Sequence, residues 1–120
     1  TIDPVSGNII WRGGSWFRCI SRDGTKIWAF NNGNQPWAPI IDGSGDIYAL
    51  GDWGYIEPPD KLYYRLRKYD GDDGSLLWES DKIIRTANYG SFSGALALGE
   101  DGTVYFTGEI NKDILYAFGY

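Results

Sequence analysis

Residues 68–78 decide the fold, and they run Lys68-Tyr69-Asp70-Gly71-Asp72-Asp73-Gly74-Ser75-Leu76-Leu77-Trp78. Residues 18–28 repeat the pattern as Arg18-Cys19-Ile20-Ser21-Arg22-Asp23-Gly24-Thr25-Lys26-Ile27-Trp28. In both stretches an Asp-Gly pair stands four residues before a tryptophan. Glycine supplies the positive φ that a tight turn needs, and the aspartate can cap the turn with its own carboxylate. The pattern therefore predicts two β-hairpins, each with a tryptophan on its second strand.

A second repeated pattern is an acidic glycine turn followed by alternating large apolar residues. It occurs in residues 2–11, 41–48 and 98–105, and it predicts a hairpin that precedes the tryptophan hairpin each time. We name the strands of the first hairpin A and B and those of the second C and D. A third copy of the second hairpin is represented by residues 113–120, which we expect to lie in strand C.

The regular recurrence of hairpins predicts an all-β chain that forms a segment of a β-propeller. The segment would contain about two and a half to three four-stranded antiparallel blades, partial at both ends, at residues 1–33, 34–82 and 83–120. Because such blades leave unpaired strands, we expect the remaining blades in a longer chain or an assembly. An alternative phasing assigns residues 1–11 to a C–D hairpin and residues 17–30 to the next A–B hairpin.

Composition excludes several classes of function. The chain has 120 residues, a net charge of −5 and no histidine. The excess of acidic residues argues against a nucleic-acid surface, and no apolar stretch is long enough to cross a membrane. The single Cys19 is expected to be a small buried side chain, because one cysteine cannot form an internal disulfide and no histidine is available to activate it.

The tryptophan hairpins resemble the pyrroloquinoline-quinone-like (PQQ-like) propeller repeat. Asp70, Gly74 and Trp78 match the spacing of its signature, and residues 3–11 match it as well. In that family the tryptophan docks one blade onto its neighbour. The resemblance therefore implies that Trp28 and Trp78 are structural anchors, largely buried between blades.

The same family contains quinone-dependent dehydrogenases and propellers that bind no cofactor. The sequence lacks a vicinal cysteine pair and a recognisable cofactor cage, so the prediction is a non-enzymatic binding or scaffold module without a cofactor. One alternative is a fragment of a dehydrogenase that uses PQQ and calcium. Another is a structural repeat in a secreted or surface assembly. Proteins of that family are usually periplasmic or extracellular, so the resemblance implies the same location for this chain.

No group of residues is arranged for catalysis. One cysteine without histidine cannot complete a zinc site, and no phosphate-binding glycine loop with a lysine is present. The carboxylates of Asp70, Asp72 and Asp73 suit calcium in type, but Gly74 stands where a further acidic ligand is needed. A solvated turn is the alternative interpretation of these aspartates.

The connections predict a binding face. In an antiparallel blade the A–B and C–D turns share one end, and the B–C loop and the connection to the next blade share the other. The long connections, residues 52–60 and 83–93, belong to the second end, so aromatic and polar side chains would gather there and bind a protein or a glycan. The candidate residues of this face are Trp16, Trp37, Trp53, Tyr55, Arg85, Asn88, Tyr89 and Phe92. Trp53 and Tyr55 are expected near Tyr89 and Phe92.

Overall fold

The computed structural model describes residues 1–13, 16–31, 39–56, 61–81, 83–85, 96–109 and 112–119. Within these ranges the chain forms strands and no helix, which confirms the all-β prediction. The strands are β1 (Ile9–Gly13), β2 (Trp16–Ile20), β3 (Lys26–Asn31), β4 (Ile40–Ile41), β5 (Ile47–Ile56), β6 (Lys61–Tyr69), β7 (Leu76–Glu79), β8 (Ile83–Arg85), β9 (Ala97–Leu98), β10 (Val104–Glu109) and β11 (Lys112–Phe118). No apolar helix of membrane-spanning length occurs in this described part of the chain.

The strands form three small antiparallel sheets in sequence order. Sheet 1 has the order β1-β2-β3, and Ile2 forms an isolated bridge with Ile9 beside β1. Sheet 2 has the order β4-β5-β6-β7, with β8 also paired to β6. Sheet 3 has the order β9-β10-β11. Consecutive strands are therefore neighbours in each sheet, except that β8 pairs with β6 and not with β7.

Two separate hydrophobic cores hold the sheets together, one on each face of sheet 2. The alternation of side chains along each strand sends successive residues to opposite faces, so β5 contributes to both cores. The core between sheets 1 and 2 contains Ile10, Phe17, Cys19, Trp28, Ile47, Ala49 and Tyr69. The core between sheets 2 and 3 contains Tyr48, Leu50, Leu66, Leu96, Val104 and Phe106.

Five tight turns lie at one end of the three sheets, which we call the turn end. Each turn carries one glycine at positive φ, between 73° and 92°. The turns at residues 21–25, 42–46 and 99–103 share one hydrogen-bond pattern, in which the first N–H donates to the fifth carbonyl. The turns at residues 3–8 and 70–75 share another, in which the first N–H donates to the sixth carbonyl.

The turn geometry bears on the two phasings of the repeat. The turn at residues 3–8 matches the second turn of sheet 2, as the alternative phasing requires. The strand order of sheet 1 instead matches that of sheet 2, as the first phasing requires. Sheet 1 therefore combines the strand order of one phasing with the turn type of the other.

The opposite end of the sheets, which we call the loop end, differs from the predicted long loops. Strand β5 continues to Ile56 and strand β6 begins at Lys61, so residues 52–56 belong to a hairpin and not to a loop. Residues 83–85 form β8 and pair with β6, which places them in sheet 2 and not in the third repeat. The physical reason is the high β propensity of the aromatic and branched residues there, which makes strand pairing favourable.

Candidate functional site

The extended β5–β6 hairpin brings two of the predicted binding-face residues into one backbone row at the loop end. Tyr55 pairs with Leu62 across the β5–β6 ladder, and Leu62 pairs with Arg85 across the β6–β8 ladder. Trp53 lies on the same strand as Tyr55, at the shift in register between Gly51 and Gly54. Strand pairing therefore joins the first predicted connection to the second.

Of the other candidate residues of the binding face, one is described by the structure and the rest are not. Trp16 begins β2 at the loop end, and its side chain is 43% exposed. Trp37, Asn88, Tyr89 and Phe92 lie outside the described residues. The expected proximity of Trp53 and Tyr55 to Tyr89 and Phe92 therefore stays a prediction.

A second exposed surface lies on the face of sheet 1 that points away from sheet 2. Trp11 and Arg18 are directly paired across β1 and β2, and the Arg18 guanidinium carbon is 5.2 Å from the centroid of the Trp11 ring. A Cβ added to Gly13 would be 3.0 Å from Arg18 Nη1 and 3.2 Å from Trp11 Cζ2, so both side chains extend over that glycine. We call Trp11, Gly13 and Arg18 the Trp11 platform.

Sequence reasoning missed the Trp11 platform. The sequence patterns assigned Trp11 only to a hairpin that matches the repeat signature, and they assigned Arg18 only to the start of the repeat at residues 18–28. The signal that could have identified the platform is the short connection between β1 and β2, which sets Trp11 opposite Arg18. Exposed aromatic rings with an arginine above them are typical of binding surfaces, because they offer apolar area and directed hydrogen bonds.

Trp28 is docked onto the neighbouring sheet. Its side chain is 7% exposed, and its Nε1–H donates a hydrogen bond of 2.9 Å to the carbonyl of Gly71. Gly74 approaches so closely that an added Cβ would be 3.0 Å from the Trp28 ring. Phe30 stacks on Trp28 and lies 4.2 Å from the ring of Tyr69, centroid to centroid. Trp28 therefore anchors sheet 1 to the turn at residues 70–75.

Trp78 differs from the burial expected of it, because 43% of the side chain is exposed. It borders a mainly apolar groove of about 210 Å³ between sheets 2 and 3. The residues that line the groove with Trp78 are Tyr48, Leu66, Gly102, Val104, Phe118 and Gly119.

Aspartates organise the turn end by capping backbone N–H groups. Asp70 Oδ1 accepts a hydrogen bond of 2.7 Å from the Asp72 N–H, and Asp73 Oδ1 accepts one of 2.8 Å from the Ser75 N–H. Hydrogen bonds from Ser75 lower the pKa of Asp73. Among the described residues no three acidic, cysteine or histidine side chains form a group that could hold a metal ion. The calcium interpretation of these aspartates stays a hypothesis.

Two aspartates are held in more enclosed places. Burial raises the pKa of Asp3, but hydrogen bonds from the Ser6 hydroxyl and the Val5 N–H outweigh burial and lower it overall. Asp42 shows the same balance, with hydrogen bonds from residues 44 and 46 and the charge of Lys68 lowering its pKa. Both carboxylates are therefore preferentially ionised in the folded chain.

Cys19 has the properties of a core residue. Its side chain is fully buried in the core between sheets 1 and 2. Burial raises the pKa of the thiol, and the negative charge of Asp3 raises it further. The thiolate, which is the reactive form, is therefore disfavoured.

No protein-family model matches this chain, and no curated protein is significantly similar to it. The assignment of function therefore depends on the geometry of the sheets and their exposed side chains.

Proposed function

We propose that the chain is a segment of a β-propeller that acts as a non-enzymatic binding or scaffold module. The sheets would be successive blades, packed face to face through the two cores. The loop end would carry the binding site for a protein or a glycan. The resemblance of residues 68–78 to the PQQ-like repeat also supports this assignment.

The row of paired backbone positions Tyr55, Leu62 and Arg85 carries the proposal. It sits on the extension of the β5–β6 hairpin at the loop end, whereas the five tight turns lie at the opposite end of the sheets. Connections between strands and the hairpin ends beside them are the usual places for binding residues. Tyrosine and arginine are also the residue types that contribute most to binding energy at interfaces.

The first experiment replaces Tyr55 and Arg85 with serine in one variant. Binding would be measured on a glycan array, and in parallel by photo-crosslinking from position 55 in an extract of the source cells. We expect the double substitution to reduce binding at least about tenfold, since residues of this kind each contribute more than 1 kcal/mol at binding sites. The melting temperature should change by less than about 3 °C.

A matched control removes one apolar and one basic exposed side chain from the turn end. The variant Val5→Ser with Lys26→Ser serves this purpose, because both residues are exposed and lie far along the sheets from the loop end. It should bind as the unmodified chain does. If the control lost binding to the same extent, or if the Tyr55 and Arg85 variant unfolded, the loop-end site would be the wrong assignment.

A further inference from the structure

The two outermost faces of the three-sheet stack carry apolar residues at register positions that are buried elsewhere in the molecule. In sheet 2 the cross-strand pair Ile47 and Tyr69 is buried against sheet 1. In sheet 3 the pair Val104 and Phe118 occupies the same register position, and it packs against sheet 2. In sheet 2 and in sheet 3, the cross-strand pair at this position therefore packs against the preceding sheet.

Sheet 1 has the same pair, but no described sheet covers it. Ile9 pairs with Ile20 at the corresponding position, and Ile9 is 37% exposed whereas Ile47 is fully buried. Trp11, in the next position on the same face, is 55% exposed. We call this surface the outer face of sheet 1; it consists of Ile9, Trp11, Trp16, Arg18, Ile20 and Ile27.

Sheet 3 presents the complementary situation on its other face. Tyr105 occupies the register position of Tyr48, which is buried between sheets 2 and 3. Tyr105 is flanked across the strands by Ala97 and Ala117, which are both exposed. We call these three residues the outer face of sheet 3. It is made of small side chains around one ring, and it can accept the large side chains of the outer face of sheet 1.

Charge also distinguishes the two ends of the stack. Residues 1–31 contain four basic and two acidic side chains, and residues 96–119 contain four acidic and one basic side chain. Arg18 lies on the outer face of sheet 1, whereas Glu100 and Asp101 are exposed in the turn beside β10. A contact between unlike ends therefore joins opposite charges, and a contact between like ends joins like charges.

The internal contacts show how one sheet is oriented on the next. Asp3, in the turn before β1, packs against the turn at residues 42–46, since a Cβ added to Gly45 would be 3.0 Å from Asp3 Oδ1. Trp28 likewise meets the turn at residues 70–75. The turn ends of adjacent sheets therefore lie side by side, and a sheet added in the same way would place residues 99–103 beside the turns of sheet 1.

We propose that the chain associates head to tail with a second copy of itself, the outer face of sheet 1 of one copy packing on the outer face of sheet 3 of the other. The partly exposed apolar pair on sheet 1, the small residues around Tyr105 and the opposite charges of the two ends all favour this partner. The contact is heterologous, so it either closes into a ring or continues as an open chain of copies. The proposal is independent of the loop-end binding site, because it uses different residues.

The test uses one substitution on each outer face. Trp11→Ser removes the largest side chain from the face of sheet 1, and Ala117→Lys places a long charged side chain on the face of sheet 3. Sedimentation equilibrium and native mass spectrometry of the unmodified chain should show dimers or larger multiples, which weaken as salt concentration rises. Each variant alone should associate at least about tenfold more weakly, while its circular dichroism stays unchanged.

Mixing the two variants gives the decisive result. Each variant keeps the face that the other has lost, so a head-to-tail contact predicts a one-to-one complex of Trp11→Ser with Ala117→Lys. Leu77→Ser, an exposed substitution on β7 away from both faces, should leave the mass distribution unchanged. Arg18→Glu provides a second variant of the sheet 1 face should Trp11→Ser not fold. A monomeric unmodified chain at high micromolar concentration, or an Ala117→Lys variant that associates normally, would overturn the proposal.

Discussion

Trp28 and Trp78 occupy the same place in two hairpins, four residues after a glycine at positive φ. Their surroundings differ in the described part of the chain, because Trp28 donates an N–H hydrogen bond to Gly71 in a turn of the next sheet. A large ring gains stability by leaving water, and a buried indole N–H needs an acceptor. Both conditions are met at Trp28, whereas Trp78 keeps 43% of its surface in solvent.

The first prediction compares the two tryptophans. Trp28→Ala should reduce the free energy of unfolding by about 3–5 kcal/mol, because it empties a packed site and leaves the Gly71 carbonyl without its donor. Trp78→Ala should cost only about 1–2 kcal/mol, since the ring is half exposed. Urea unfolding followed by circular dichroism measures both values. Equal losses for the two variants would contradict the docking of Trp28 described above.

At the scale of the element, glycine has two different roles in the tight turns. Gly24 and Gly74 both have positive φ, at 87° and 76°. A Cβ on Gly24 would meet no atom within 4 Å, whereas one on Gly74 would lie 3.0 Å from the ring of Trp28. Gly24 therefore only allows its turn to form, and Gly74 also allows a neighbouring sheet to approach.

The second prediction distinguishes the role of glycine in forming the turn from its role in allowing a neighbouring sheet to approach. Gly24→Ala should destabilise the chain by about 1 kcal/mol through backbone strain alone. Gly74→Ala should cost about 1–2 kcal/mol more, because the added methyl group pushes against the docked ring. The difference in urea midpoints between the two variants measures the contact between sheets. It should shrink when Trp28 is also replaced by alanine, and an unchanged difference would place the strain elsewhere.

At the scale of the whole molecule, sheet 2 is the common element of both cores. Neither sheet 1 nor sheet 3 buries apolar residues against the other in the described part of the chain. Stability should therefore behave as a sum of neighbour contacts, as in stacked repeat proteins. A destabilising substitution in sheet 2 can therefore weaken both cores, whereas one in sheet 1 or sheet 3 weakens one core.

Acid should weaken the molecule at many points simultaneously. The pKa values of Asp3, Asp23, Asp42, Asp73 and Asp101 are lowered from an ordinary value of 3.8, that of Asp23 to about 2. A group whose pKa is lower in the folded chain than in the unfolded chain stabilises folding at pH values above its unfolded pKa. That contribution disappears as pH falls through the folded pKa.

The third prediction follows from that sign. The urea midpoint should be nearly constant between about pH 5 and 7 and should fall steeply below about pH 4. The Asp3→Asn and Asp42→Asn double variant should be less stable at pH 7, and its midpoint should change less between about pH 4 and 2. A double variant with the same acid dependence as the unmodified chain would show that other groups dominate.

Local patterns predicted most of the hairpins, because the turn glycines need positive φ whatever surrounds them. The positions of these glycines along the chain predicted antiparallel neighbouring strands and a common end for the tight turns. The pairing of Arg85 with Leu62 could not be predicted, since it joins residues 23 positions apart by register and no turn residue marks it. The exposure of Trp78 likewise depends on a neighbouring sheet and not on its own motif. Closure of the blades into a propeller stays a prediction.

The docking of Trp28 has a consequence for the order of events during synthesis. Gly71, the acceptor of its N–H, lies 43 residues later in the chain. At about 5–20 residues per second, the ribosome delivers that partner roughly 2–9 seconds after Trp28 itself. For that interval the nascent sheet 1 holds an uncovered indole, and only the arrival of the second turn of sheet 2 shields it. Between these two moments of translation the growing chain thus exposes an apolar ring that the folded chain buries, and this ring is open to wrong associations.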